Sequence, residues 1–121
     1  MSMAAKVVIA AIGVLHVYIL VLEMFLWDRP AGMKAFGQSH IQAAATKVMA
    51  ANQGLYNGFL AVGLFWGLLL GDDGRHVQVF FLACVLVAGL FGAITVGRKP
   101  LLIQALPATV GLTLLWLAKM Q

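Results

Sequence analysis

Two ionisable side chains, Glu23 and His16, lie inside an apolar run that extends from Val7 to Trp27. A carboxyl group in hydrocarbon is costly, so an acid in such a run usually faces the protein interior and serves a function. On a helix, their seven-residue spacing places both side chains on one face, about 20° apart and roughly 10 Å apart along the axis. This pattern predicts a buried site for proton chemistry, with Glu23 as its principal group.

The composition indicates that the fold is built for a membrane. The chain has 121 residues, of which 63% are hydrophobic and 10% are charged, whereas soluble domains carry about 25% charged residues. Four apolar runs reach or approach the ~20 residues that span a bilayer. They fall at residues 7–27, 52–71, 77–97 and 100–118. We therefore expect a single all-α transmembrane domain that occupies residues 1–121.

Short polar segments between the runs predict how the helices are connected. The segment 27–30, Trp-Asp-Arg-Pro, is typical of a membrane exit followed by a helix breaker. Residues 39–51 contain no proline or glycine and are expected to extend the second helix, with Ser39 as its N-cap. Residues 71–75 and 97–100 are short turns. Short connections between consecutive spans predict an antiparallel, up-down-up-down four-helix bundle.

The basic residues favour one orientation in the membrane. Five of the eight lysines and arginines fall on one side, in or beside the first and third connections. They are Arg29, Lys34, Lys47, Arg98 and Lys99. This predicts that these connections are cytoplasmic and that both termini lie outside the inner (plasma) membrane, although a dual topology stays open. The net charge of +4 is scattered, which fits contact with anionic lipid headgroups and argues against nucleic acid.

The start of the second helix carries four hydrogen-bonding side chains, Asn52, Gln53, Tyr56 and Asn57. At about 100° per residue they cover an arc of roughly 140°. Such groups are unfavourable in lipid, so we expect them to face the bundle. Their amides can hold Glu23 in either protonation state, and Tyr56 can donate its hydroxyl to that carboxyl group.

Polar residues from all four predicted helices fall at one depth, just inside the expected cytoplasmic boundary. Glu23 and the Asn52–Asn57 segment are joined there by Thr95 and Gln104. We therefore predict Glu23, His16 and Tyr56 as catalytic candidates. The predicted ligand-binding residues are Asn52, Gln53, Asn57, Trp27 and Gln104. Trp27 is included because it can form a wall beside Glu23, and its alternative is a packing or interfacial role.

No metal site or cofactor is expected, because His16 has no second ligand at metal-binding spacing. Binding of haem iron by His16 is the alternative. The single cysteine, Cys84, lies within a span and cannot form an internal disulfide.

Glycines at four-residue spacing recur in the second helix, and Pro107 lies inside the fourth. The glycines form the pair Gly54 and Gly58 and the ladder Gly63, Gly67 and Gly71. Small residues at this spacing let helices approach closely, within one bundle or between the subunits of a homo-oligomer. Space for a ligand is the alternative. Pro107 is expected to kink or loosen its helix.

Two segments resemble a known family. They are His16-Val17-Tyr18-Ile19 with Leu22-Glu23-Met24-Phe25-Leu26-Trp27, and Asn52-Gln53-Gly54-Leu55-Tyr56-Asn57-Gly58-Phe59-Leu60-Ala61. They are similar to small bacterial four-span membrane proteins grouped as domain of unknown function 1304. The resemblance covers nearly the whole chain and implies the fold and the membrane location, but no activity.

Three functions are compatible with these residues. The first is a membrane enzyme that isomerises or hydrates a lipophilic or amphipathic small molecule, with Glu23 as acid and base. The second is a small proton-coupled transporter, in which proton and substrate compete for Glu23 in a dimer. The third is a structural subunit whose polar face only specifies helix packing. The chain contains no phosphate- or dinucleotide-binding motif.

Overall fold

The computed structural model describes residues 1–119 and contains five helices, with no strand in that range. The helices are α1 (Met3–Met24), α2 (Pro30–Phe36), α3 (His40–Leu69), α4 (Arg75–Thr95) and α5 (Arg98–Lys119). A short helical turn, Gly71–Gly74, joins α3 to α4. The predicted all-α helical bundle is confirmed.

The number of predicted spans needs correction. Among residues 1–119, three helices are long and apolar enough to cross a membrane: Met3–Met24, Gly71–Thr95 and Arg98–Lys119. The predicted span 52–71 falls largely in α3, which is 30 residues long. The helix is long enough to cross a membrane, but Asn52, Gln53 and Asn57 lower the mean hydropathy of its apolar part. Three such helices remain compatible with a multi-pass membrane protein.

The chain divides into two compact units. The first unit comprises Met1–Gly13 and the chain from Leu60 onward, and the second unit is Val14–Phe59. The core of the first unit takes side chains from α1, α3, α4 and α5. Its largest apolar members are Ile9, Leu64, Leu82 and Leu115. Because lipid tails are as apolar as these side chains, close packing rather than the hydrophobic effect must hold such a core together in a membrane.

Within the first unit, α5 departs from regular helix geometry next to Pro107. Residues Leu101–Ala105 form a wider π turn, in which the Leu106 N–H donates to the carbonyl of Leu101. Proline has no N–H for the carbonyl four residues earlier, so local widening is a common accommodation. The predicted loosening of this helix is therefore observed in the turn before Pro107.

Glycines in the first unit mark the places where helices approach most closely. A Cβ atom at Gly67 would lie 2.6 Å from Cγ of Gln78. At Gly63 it would collide with the ring of Phe81, which belongs to the same helix as Gln78. These two ladder glycines therefore serve the packing of α3 against α4, as predicted.

The second unit contains a helix that sequence reasoning missed. No helix was predicted between residues 30 and 39, but Pro30–Phe36 forms α2, which ends at Gly37 with φ of 63°. Proline at the start and a left-handed glycine at the end are helix-boundary signals, so α2 was detectable. Next, α3 begins with Ser39 as the predicted N-cap: its Oγ accepts the Gln42 N–H at 3.2 Å, and Gln42 Oε1 accepts the Ser39 N–H at 3.0 Å.

The closest approach of α4 and α5 generates a test. A Cβ at Gly89 would lie 2.9 Å from Cα and 2.8 Å from Cβ of Ala105. Gly89→Ala should therefore lower the free energy of unfolding by about 1–3 kcal/mol through overpacking, measured by denaturant titration in mixed micelles. Leu90→Ala, at the neighbouring exposed position, should change it by only about 0.5 kcal/mol. Equal effects of the two variants would contradict the packing described.

Candidate functional site

Glu23 points inward in the second unit, as predicted. It lies in the last turn of α1, and only 5% of its surface is exposed. Its Oε1 accepts a hydrogen bond from Nδ2 of Asn57 at 2.5 Å. The same Nδ2 also donates to the backbone carbonyl of Gln53 at 3.1 Å, which holds the amide in place on α3. The acid and its amide partner thus come from two different helices.

Two glycines of α3 make this bond possible. A Cβ at Gly54 would lie 2.5 Å from Cγ of Met24 and 3.1 Å from Cβ of Glu23. A Cβ at Gly58 would lie 2.7 Å from Cδ1 of Leu20. Larger residues at either position would push α3 away from α1. The predicted packing role of this pair is observed, and it brings Asn57 within reach of Glu23.

His16 shares the buried face of Glu23, as its seven-residue spacing predicted. Its side chain is fully buried. A buried imidazole can donate and accept protons and can serve as a hydrogen-bonding group. Within residues 1–119, no group of three His, Cys, Asp or Glu side chains could hold a metal ion.

Three of the four polar side chains predicted to face the bundle do not do so. Asn52, Gln53 and Tyr56 are exposed. Asn52 donates to the carbonyl of Val48 on its own helix at 2.9 Å. The Tyr56 ring is 58% exposed and packs near Phe59, with ring centroids 6.0 Å apart. The predicted hydroxyl donation from Tyr56 to Glu23 is therefore wrong.

The prediction that these side chains are buried failed because a glycine, and not the polar residues, defines the face of α3 that contacts α1. Gly54 defines it, and at about 100° per residue Asn57 lies only about 60° from Gly54. Gln53 lies about 100° away, and Asn52 and Tyr56 each lie about 160° away. The polarity of the segment suggested a buried face, but the small residue that permits close approach determines the actual one.

Trp27 lies beyond the end of α1, so its predicted position on the helical face beside Glu23 is wrong. Its ring is 7% exposed and packs against Phe36, with centroids 4.8 Å apart. Its indole N–H donates to Thr46 Oγ1 at 3.0 Å. The ring therefore packs in the core of the second unit, with Ala43 and Ala50. Thr46 was missed by sequence reasoning, although a buried indole N–H requires an acceptor.

Thr95 and Gln104 belong to the first unit. Thr95 is exposed, and its hydroxyl donates to the carbonyl of Phe91 on its own helix at 2.9 Å. Gln104 is partly buried in the π turn of α5. Within the second unit, the site therefore consists of Glu23, Asn57 and the buried His16.

The Glu23–Asn57 pair can accommodate both states of the acid. The amide N–H donates to Oε1 of Glu23 in the structure, and such a bond can stabilise an ionised carboxylate. The same amide also has a carbonyl oxygen, which can accept a hydrogen bond from a protonated carboxyl group after rotation. A carboxyl group with such a partner can gain or lose a proton without leaving a buried polar atom unsatisfied. This is the chemistry expected of a proton donor and acceptor.

Comparison with known proteins defines the family. A family model described as "Protein of unknown function (DUF1304)" matches residues 9–116. The chain belongs to this family. It is also similar to the uncharacterized protein YpaA of Lactococcus lactis subsp. lactis (strain IL1403), with 25% identity over 89 residues, which cover 72% of this chain and 75% of that protein. No solved structure matches the chain. The family match includes the whole second unit and confirms the resemblance noted in the sequence.

The Glu23–Asn57 bond predicts a measurable loss of stability when its donor is removed. Asn57→Leu should lower the free energy of unfolding in micelles by about 1.5–3 kcal/mol, because the buried carboxyl loses its hydrogen-bond donor. Gln53→Leu, which changes an exposed amide one turn earlier, is the matched control and should cost at most about 0.5 kcal/mol. Equal losses for both variants would show that the bond contributes nothing specific.

An ion pair next to α2 gives a pH-dependent prediction. Lys47 Nζ lies 2.9 Å from Asp28 Oδ2, and this hydrogen bond, with the charge of Lys47, lowers the pKa of Asp28. Its stabilising effect is therefore present above the ordinary aspartate pKa of about 3.9 and is lost as the pH falls through the lower pKa of the folded state. In an NMR carboxyl titration, Lys47→Met should raise the pKa of Asp28 towards its ordinary value. Lys34→Met should leave it unchanged, and an unshifted Asp28 in Lys47→Met would contradict the pairing.

Proposed function

We propose that the protein is a membrane-embedded acid–base enzyme of the isomerase or hydratase type, acting on a lipophilic or amphipathic small molecule. The observation that carries this proposal is the buried Glu23 carboxyl bonded to Asn57 Nδ2 at 2.5 Å. An isomerisation or hydration needs a positioned proton donor and acceptor together with hydrogen-bonding groups, and no covalent nucleophile. Glu23 supplies the first requirement and Asn57 the second.

His16 is assigned as a second proton-handling group in this proposal. It is fully buried and lies on the same helical face as Glu23. Two titratable groups on one face allow one to deliver a proton while the other removes one, which is one way to carry out an isomerisation. Tyr56 is left out of the catalytic set because its ring is exposed. Haem binding by His16 is the alternative assignment for that residue.

A proton-coupled transporter is the second candidate, and the exposed polar face of α3 favours it. Asn52, Gln53 and Tyr56 are directed away from the rest of the chain, which is unfavourable if that face meets lipid. A second copy that covers this face would bury these groups and would line a path between two subunits. The homo-oligomer is therefore proposed together with transport, with Glu23 as the group for which proton and substrate compete.

The proposed location is the inner (plasma) membrane, with the lipid bilayer as the main partner. The segment between α1 and α3, taken with the first part of α3, and the connection between α4 and α5, taken with the first residues of α5, carry five of the eight lysines and arginines. We propose that both are cytoplasmic. In this orientation Glu23, in the last turn of α1, is close to the cytoplasmic boundary, and so is its partner Asn57, near the middle of α3.

Solvent deuterium distinguishes the candidates. Purified protein in liposomes is incubated in D2O with a total lipid extract of its host cells, and the extract is analysed by mass spectrometry. An isomerase or hydratase of this kind transfers a solvent deuteron to carbon, so at least one lipophilic compound should gain deuterium. Glu23→Gln should abolish the labelling, whereas Gln53→Leu should retain it.

The remaining outcomes separate the alternatives. Absence of labelling overturns the enzyme. If the same liposomes then show a proton flux that the extract stimulates and Glu23→Gln abolishes, transport is supported. If neither activity is present although Glu23→Gln folds normally, the polar pair has a structural role.

A further inference from the structure

The first unit contains a polar cavity that is independent of Glu23. Its volume is about 150 Å³, the size of a cavity that holds a benzene molecule. The lining consists of polar and apolar residues: Met1, Gly71, Asp72, Arg75, Gln78, Leu115 and Ala118. The cavity therefore lies beside the turn between α3 and α4 and the last turns of α5. Ends of membrane helices lie at the depth of lipid headgroups.

Gln78 lines this cavity, and it carries an acceptor, Oε1, that no described residue uses. The side chain is fully buried, and its Nε2 donates to the carbonyl of Gly67 at 2.9 Å. That carbonyl fixes the orientation of the amide, because a flipped amide would place two oxygens against each other. Within residues 1–119, nothing donates to Oε1 of Gln78. Buried acceptors without a donor are rare in folded proteins, so this atom points to a ligand that carries a donor.

Arg75 supplies positively charged hydrogen-bond donors to the same cavity. Its Nη1 donates to the carbonyl of Leu115 at 2.6 Å, which anchors the guanidinium group. A guanidinium has five N–H donors and matches the oxygen geometry of phosphate. At the rim, the Asp72 carboxylate accepts from the ammonium group of Met1 at 2.9 Å, so this carboxylate already binds one primary ammonium group. One small cavity therefore combines a phosphate-binding cation with acceptors for a cationic group.

We propose that this cavity binds the phosphoethanolamine headgroup of a phosphatidylethanolamine lipid. The ammonium group donates to Oε1 of Gln78 beside the Asp72 carboxylate, and the phosphate accepts from Arg75. A phosphatidylglycerol headgroup matches Arg75 but brings neutral hydroxyls to the acceptors. A phosphatidylcholine headgroup has no N–H to donate. The acceptor pair therefore selects a primary ammonium group.

The experiment measures lipid binding by native mass spectrometry of the full chain in detergent micelles. The probes are phosphatidylethanolamine, phosphatidylglycerol and phosphatidylcholine with identical acyl chains, together with soluble phosphoethanolamine. Phosphatidylethanolamine should bind most tightly. Gln78→Met, which preserves the side-chain volume, should weaken that binding about tenfold, because it removes one hydrogen bond to a charged group.

A second variant separates binding from folding. Gln78→Glu also loses the bond to the Gly67 carbonyl but retains an acceptor, so it should bind phosphatidylethanolamine at least as tightly as the unmodified protein. Gln53→Met makes the same change as Gln78→Met at an exposed position and should have no effect. Binding of soluble phosphoethanolamine alone, in competition with the lipid, would identify a free metabolite as the source of the headgroup chemistry.

Two results would overturn the proposal. The first is equal binding of the three lipids by the unmodified protein. The second is an equal loss of binding in Gln78→Met and Gln78→Glu, which would assign the effect to the lost bond with Gly67.

Discussion

The structure depends on how closely α3 approaches α1 at Gly54 and Gly58. Any side chain at these positions would meet Met24 or Leu20. Only with the helices this close can the amide of Asn57 reach the carboxyl of Glu23. In hydrocarbon, where no water can replace a lost partner, a buried acid requires such a donor. Two residues without side chains thus determine where the buried acid of the second unit can lie.

Other buried or partly buried polar groups also have hydrogen-bond partners. The indole N–H of Trp27 donates to the hydroxyl oxygen of Thr46, and the guanidinium group of Arg75 donates to the carbonyl of Leu115. Gln78 is the exception, because only its donor half has a partner among the described residues. Polar groups that only stabilise a fold need complete pairing, whereas a half-paired amide beside a cavity has capacity left for a ligand. This difference separates Gln78 from the packing contacts around it.

The sequence predicted the fold class and the buried acid because these depend on local patterns. Apolar length identified helices, and the seven-residue spacing placed His16 and Glu23 on one face. The sequence predicted the burial of the polar side chains of α3 less well. The burial of Asn52, Gln53 and Tyr56 depends on which face of α3 packs against a neighbouring helix. That face is determined by the glycines, which permit close approach. The end of α1 at Met24 likewise removed Trp27 from the face of Glu23. The spacing of residues along the sequence predicts which side chains share a face of one helix, but it does not predict how closely that helix approaches its neighbour.

A distance measurement in a bilayer can test for the hydrogen bond between Glu23 and Asn57. Solid-state NMR of protein labelled with ¹³C in glutamate and ¹⁵N in the asparagine side chain reports the dipolar coupling between Cδ of Glu23 and Nδ2 of Asn57. A measurable coupling is expected, because the two atoms belong to directly hydrogen-bonded groups, and it should be absent in Asn57→Leu. No coupling, together with rapid exchange between the Glu23 carboxyl and water, would contradict it.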